Sequence, residues 1–419
     1  MTKTIVVIGT LDSKAEEVLF ARNQIVQRGY KPIVVDLSVG SKPAVQGDIT
    51  CEQVVKAGGG DIHDIWGNPD RPRINKMVTD GAISEACALY NAGKLDGIIG
   101  IGGAGGTLIE TDIMKSLPFG VPKFMVSSNA GARGFASRYF GTKDITMMHT
   151  VADIAGLNRM LKSLLCQAIA AICAMSEISA PLASKNGTTE KRQKTIALCE
   201  LMLSAKSVQH IKKLLEDQDY QVIVFMATGV GDTAMEELID EGFFDAVIDL
   251  SPGGILDSII GGTRKACSQR LETAGSKGIP QVIAPGGLDF ITPSRSRYKP
   301  EYDVRKRFEP DKLRLQIRSS KDELIQCARI IAKKLNKSKG PVKFLIPLKG
   351  WSRIDGPGRP LDDPEAISAF SKELRENCKP EIEVVEIDAW IEDSEFGFAL
   401  VEALNGMTNK ELNAGELTY

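Results

Sequence analysis

The chain has 419 residues, 25% of them charged, with a formal net charge of −2 at pH 7. That length suits two ordinary domains, and the near-neutral charge argues against nucleic acid or anionic membrane as a bulk electrostatic partner. Eight scattered cysteines without a Cys-x-x-Cys pair, and three histidines none of which is paired at ligand spacing, argue against a disulfide framework, a zinc site and a Ser-His-Asp triad. A metal here is expected to be a hard cation such as magnesium, held by carboxylates and phosphates.

The chain opens on Thr4-Ile5-Val6-Val7-Ile8-Gly9, a short strand rather than the apolar core of a signal peptide, so a cytoplasmic location is expected. Gly9-Thr10-Leu11-Asp12-Ser13-Lys14 follows and leads into a helix with Glu16 and Glu17 in its first turn. Asp12 or Ser13 suits a plain helix cap. In the functional reading, Gly9 and Thr10 line a crevice, Lys14 reaches a phosphate, and Asp12 reaches a metal or its water. The next strand, Pro32 to Asp36, ends on a carboxylate that can accept hydrogen bonds from a ribose.

After the strand-like Leu95 to Ile99, five glycines crowd into Gly100-Ile101-Gly102-Gly103-Ala104-Gly105-Gly106-Thr107, followed by the helix-compatible stretch Leu108 to Lys115. Without Cβ atoms, backbone N–H groups can converge on one point, and a helix N-terminus adds partial positive charge, so the loop suits phosphate or carboxylate. A tight turn is the plainer reading, but it normally needs fewer glycines. The dinucleotide pattern fits only weakly, because no acidic residue ends the following strand, and no Gly-Lys-Ser/Thr of a Walker loop follows. That strand, beginning at Val121, ends on Ser127 and Ser128, which can donate to phosphate oxygens. The apolar stretch Ile154 to Met175 carries Arg159 and Lys162 and reads as a buried helix.

The order of pieces then repeats. Lys3-Thr4-Ile5 matches Lys194-Thr195-Ile196, Leu95-Asp96-Gly97-Ile98-Ile99 matches Phe244-Asp245-Ala246-Val247-Ile248, and Val121-Pro122 matches Ile279-Pro280, with an insertion in the first copy between Asp36 and Leu95. This predicts an α/β chain of two doubly wound, Rossmann-like parallel-sheet domains related by internal duplication: residues 1–178, a linker at 179–193, and residues 194–419. The final helix, Asp393 to Leu404, completes the second domain or crosses back onto the first. In such sheets ligands bind beyond the carboxyl ends of the strands. The second half therefore offers Thr228, Gly229, Gly231, Asp232, Gly286, Gly287 and Asp355 to a second ligand in an inter-domain cleft, unless these are turn residues. The basic run Ser294 to Arg307 reads as a solvated loop, the alternative being a segment that binds an acidic ligand or covers the cleft.

Ile8 to Lys14, Gly102 to Thr107, Asp144 to Met148 with Asp153 to Asn158, and Ala227-Thr228-Gly229-Val230-Gly231 together resemble the ATP-binding domain of the tomato mosaic virus resistance protein and its bacterial relatives. The resemblance runs over nearly the whole chain. It implies two α/β subdomains, nucleotide on the N-terminal one, self-association into a homo-oligomer (dimer), and in the plant protein inhibition of a viral replication protein. The second half departs from that pattern, reading Phe308-Glu309-Pro310, Pro347-Leu348-Lys349-Gly350 and Trp390-Ile391-Glu392-Asp393 where relatives carry histidine, asparagine and further carboxylate positions. The expected function is binding of ATP, with magnesium, at Gly9, Thr10, Asp12, Lys14, Asp36, Gly102, Gly103, Ala104, Gly105, Gly106, Thr107, Ser127 and Ser128, with slow or absent turnover. The alternative is a small-acid lyase, isomerase or hydrolase that uses the glycine loop for substrate phosphate or carboxylate.

Overall fold

Ile5-Val6-Val7-Ile8 is a run of β-branched residues without a polar face, as expected of a strand buried between two helix layers. The computed structural model describes residues 2–66, 70–178, 193–203, 205–311 and 314–408, and the chain divides into two units, Met1–Asn186 and Gly187–Tyr419. The predicted linker, 179–193, lies outside the described residues except for Gln193.

The first unit runs β1 (Thr4–Gly9), α1 (Ala15–Gln27), β2 (Lys31–Asp36), α2 (Cys51–Ala57), α3 (Arg71–Asn91), β3 (Gly97–Gly102), α4 (Ala104–Lys115), β4 (Lys123–Ser127), α5 (Ala136–Phe140), β5 (Ile145–His149) and α6 (Arg159–Ile178). Its strands form one parallel sheet in the order β2-β1-β3-β4-β5. Val6 and Ile8 pack on the face with Ile74 and Val78 of α3 and Ile113 of α4. Ile5 and Val7 pack on the opposite face with Val18 of α1 and Leu165 and Ile169 of α6, the period-two alternation of a strand. By length and composition α6 is the one described helix apolar enough to cross a membrane, and Leu161, Leu165, Ile169 and Ile172 on it are buried against the sheet. The insertion predicted between Asp36 and Leu95 consists of α2 and α3 with their connections.

The second unit contains β6 (Lys194–Glu200), α7 (Ala205–Glu216), β7 (Tyr220–Met226), α8 (Gly231–Asp240), β8 (Ala246–Asp249), α9 (Gly254–Ile260), α10 (Thr273–Lys277), β9 (Gln281–Ile283), β10 (Phe290–Ile291), β11 (Arg307–Asp311), β12 (Arg314–Arg318), α11 (Lys321–Leu335), β13 (Val342–Pro347), α12 (Pro364–Asn377), β14 (Glu383–Ile387) and α13 (Ser394–Thr408). The parallel sheet reads β7-β6-β8-β9-β13-β14, so its first five strands repeat the order of the first unit. Strands β10, β12 and β11 form a separate antiparallel sheet that lay unseen beside the basic run read as a loop. The last helix, α13, packs Phe396, Leu400 and Leu404 with Ile211 and Leu215 of α7 and so belongs to the second unit.

The repeat extends to individual hydrogen bonds. Asp96 Oδ2 accepts from Thr4 N–H at 2.7 Å and Asp96 N–H donates to Thr4 O at 2.9 Å; Asp245 and Thr195 do the same at 2.8 and 2.9 Å. Ile98 N–H meets Pro122 O at 2.9 Å, and Val247 N–H meets Pro280 O at 3.0 Å. Each aspartate thus fixes where the central strand enters its sheet. Asp96→Ala and Asp245→Ala should each destabilise the protein by about 1–3 kcal/mol, the cost of leaving such a donor unpaired. Denaturant unfolding checks this, and a change within error for both would refute the clamping role.

Candidate functional site

The strand order sets the location. Strands β1 and β3 are neighbours, yet α1 packs on one face of the sheet and α4 on the other, so the β1–α1 and β3–α4 connections part at a topological switch point. Register places Gly9 beside Asp36, Gly102 beside Ser127, and Ser127 beside His149 on the same edge.

Helix α4 starts at Ala104, inside the predicted loop, so Ala104, Gly105, Gly106 and Thr107 form its first turn. Gly103 is the N-cap in an extended conformation and supplies no side-chain cap. Thr107 N–H bonds Gly103 O at 2.8 Å, but the N–H groups of the first three helical residues have no acceptor among the described residues. A Cβ on Gly105 would meet nothing within 4 Å, so glycine there leaves open approach to those donors.

Three other glycines of the run answer to packing. Cβ atoms on Gly100, Gly102 and Gly106 would fall 2.5, 2.9 and 3.1 Å from the carboxyl oxygens of Glu110. Glu110 is fully buried beneath the turn, and no side chain pairs with its carboxyl. Burial pushes its carboxyl well above the usual range, against a smaller opposing effect from the Ile101 backbone.

Several predicted ligand groups turn inward. Asp36, read as a ribose partner, is buried: its Oδ1 accepts from Leu11 N–H at 3.2 Å and Ser38 N–H at 3.0 Å, fixing the β1–α1 loop. Burial raises its pKa against those hydrogen bonds. Ser127 and Thr107 are buried and bond each other at 2.6 Å, and Thr107 Oγ1 also donates to Gly103 O. They hold the turn in shape and are not exposed donors. A Cβ on Gly9 would strike Val18 at 2.7 Å, so Gly9 serves strand–helix packing. Neither Asp12 nor Ser13 caps α1, whose N-cap is Lys14; Asp12 Oδ2 instead accepts from Gly40 and Ser41 N–H at 2.7 and 3.2 Å.

Thr10, Lys14, Gly103, Ala104, Gly105 and Ser128 remain at least partly accessible on the edge. Among the described residues Lys14 Nζ has no hydrogen bond or ion pair. Ser128 Oγ donates to Asp153 Oδ1 at 3.0 Å, and that bond, with Ile154 N–H, holds the Asp153 carboxyl below its ordinary pKa; Lys14 adds attraction. Asp153 had stood in a motif without an assigned role, and only the loop after β5 brings it here. No group of three or more His, Cys, Asp or Glu side chains among the described residues is placed to hold a metal alone.

The second-half candidates mostly serve the interior. Asp232 is buried beside Arg270, with Asp232 Oδ2 3.4 Å from Nε, and Asp249 and Glu236 complete an enclosed ion cluster. Its Oδ1 accepts from Gly229 N–H at 2.7 Å. Burial raises the Asp232 pKa while Arg270 opposes the shift. Gly229 has φ +92°, Gly231 abuts Met226 O, and Gly286 abuts Leu250 O, which accounts for glycine at each. Gly287 gives its carbonyl to Arg264, whose guanidinium also binds Asp257 and Phe290 O. Arg264 Nη1 comes within 2.9 Å of a Cβ on Gly253, so this side chain fills the crevice at the β8–α9 turn, the counterpart of the β3–α4 turn. Thr228 alone of the seven is exposed.

Asp355 is likewise buried, its Oδ1 3.2 Å from Arg318 Nη1 and its Oδ2 accepting from Trp351 N–H. Burial, then repulsion from Asp289, raises its carboxyl to about 7 despite Arg318. The folded state thus binds this proton more tightly than the unfolded chain. The associated stability is full below about pH 4, declines as pH rises toward 7, and changes no further above. Relative to Asp355→Asn, the wild type should lose stability across that window by at most about 1.4 kcal/mol per pH unit. Denaturation series from pH 4 to 8 measure it; a constant difference would contradict the assignment.

A family model described as the N-terminal domain of the uncharacterised protein family UPF0261 matches residues 3–181, and the C-terminal domain model matches residues 193–408. A UPF0261 protein of Clostridium tetani is 34% identical over 98% of this chain and 100% of its own length. The tomato (Solanum lycopersicum) ToMV resistance protein Tm-1(GCR237) is 34% identical over 74% of this chain, spanning 41% of that longer protein. Among solved structures, a UDP-GlcNAc 2-epimerase of Methanocaldococcus jannaschii aligns over 90% of this chain and all of its own at 11% identity and a TM-score of 0.20. On the two family models and these relatives, the chain belongs to the UPF0261 family.

Proposed function

We propose that the first unit binds a nucleoside triphosphate, ATP with magnesium, across the β1/β3 switch point. The observation that carries this reading is the uncapped N-terminus of α4, with Gly105 open to approach and the unpaired Lys14 on the neighbouring connection. Three convergent N–H donors, a helix dipole and one ammonium are a phosphate cradle. Gly103, Ala104, Gly105 and Gly106 hold the phosphates through backbone, and Lys14 contributes the point charge.

Asp12 and Asp153 share this edge, so a bare triphosphate meets carboxylates as well as donors. Magnesium supplies the positive charge that offsets both, with Asp12 and Asp153 as the protein carboxylates on hand. Turnover is slow or absent: Asp153 is held ionised by Ser128 and Ile154, which makes it a weak base for activating water. Self-association into a dimer and a cytoplasmic setting complete the proposal.

ATP with magnesium should raise the melting temperature, corresponding to about 2.7 kcal/mol at a hundredfold excess over Kd. Lys14→Ala should weaken ATP by roughly 10- to 100-fold, the worth of a hydrogen bond to a charged group, and Gly105→Val should block it while leaving the unliganded fold intact. ATP without magnesium should shift the wild type less. No stabilisation at large excess would end the nucleotide reading; a response to small carboxylates or sugar phosphates instead would favour an enzyme of small acids at the same turn.

A further inference from the structure

The second unit contains a cavity of about 510 Å³, bounded by the turns after β6 and β7 and by the small β10-β12-β11 sheet. That volume lies in the range of small-molecule sites. We propose that it binds a small hydroxylated organic anion, independently of the nucleotide site.

One wall of the cavity is preformed. Arg264 is held by Asp257, Gly287 O and Phe290 O, and its guanidinium lies 4.1 Å from the centre of the Phe290 ring, so this wall does not reorganise when a ligand enters. Met202, in the lining, has φ +62°, the left-handed region that few non-glycine residues occupy.

Gln316 supplies the specific demand. It is 5% exposed, lines the cavity, and donates from Nε2 to Met202 Sδ at 3.4 Å, while its Oε1 has no hydrogen-bond partner. A buried acceptor left unpaired is costly, and a ligand hydroxyl would satisfy it. The lining also carries Arg295 and Arg314, together with the carboxylates Glu309 and Asp311. Among the described residues the Arg295 guanidinium has no hydrogen bond or ion pair, and Arg314 spends Nε and Nη2 on Asp311, each at 2.6 Å, keeping Nη1 available. Leu315 and Tyr298 add apolar surface to the lining. The arrangement fits a negative group at the arginines, a carbon body along Leu315 and Tyr298, and a hydroxyl at Gln316. Carboxylate and phosphate satisfy the arginines equally.

Calorimetric titration of the full chain with gluconate and with glucose 6-phosphate separates the two sources. At least one should bind saturably with a dissociation constant of about 1 mM or tighter. Arg295→Ala, on an exposed turn, and Gln316→Leu should each weaken that ligand at least tenfold, with the stabilisation by ATP and magnesium unchanged in both. An ATP response without any response to either probe overturns this site and leaves the nucleotide reading standing. Binding that persists unaltered in both variants overturns it equally.

Discussion

A parallel sheet covered by helices on both faces can present chemistry only where its strands stop. With Ile5 to Ile8 fully enclosed and Gly97 to Gly102 beside them, the functional groups of the first unit are confined to the row that begins at Gly9, Asp36, Gly102 and Ser127. The same confinement makes those positions compete for two tasks. A strand-end polar group lies partly in the core and must be satisfied there. Asp36 and Ser127 take the inward task, and Lys14, Ser128 and Asp153, one or more residues further out, are left to face solvent.

The two units treat buried acids differently. In the second, the large enclosed carboxylates are matched with arginine: Asp257 with Arg264, Asp249 with Arg270, Asp355 with Arg318. Burial alone would lower the Arg270 pKa, but the surrounding acids raise it well above the ordinary value, and the enclosed Cys199 is pushed up well above the ordinary thiol range. Removing one member of such a pair strands the other, so these clusters behave as fixed parts of the core. In the first unit Glu110 has no such cation, and burial pushes its carboxyl well above the usual range. The two equivalent turns differ in the same sense, the β3–α4 turn being open at Gly105 and the β8–α9 turn filled by Arg264.

Much of the frame was legible from residue pattern. The paired Thr-Asp positions, the strand runs and the final helix follow from periodicity and turn chemistry, because those depend on neighbours in sequence. The start of α4 was misplaced since glycine reads as loop, yet first-turn residues need no helical acceptor for their N–H groups and tolerate it. The inward turn of Asp36, Ser127 and Thr107 was invisible because sequence does not say which way a strand-end side chain rotates. Arg318 with Asp355, and Arg264 with Gly287, are joined only by the fold. The β11–β12 pair escaped notice because Arg307, Glu309 and Asp311 alternate with just Phe308 and Pro310, a weak apolar signal.

The lodging of Glu110 among Gly100, Gly102 and Gly106 has a consequence for how this segment can vary. Any side chain at those glycines meets the carboxyl, and shortening Glu110 alone opens a void that still lacks a polar partner. The four positions are therefore epistatic: each tolerates change only on a background in which the others have already changed. Gly103 and Gly105 lie outside that linkage, since nothing in the protein itself crowds them. Divergence at those two, unlike divergence at the other three, is free of what the turn encloses.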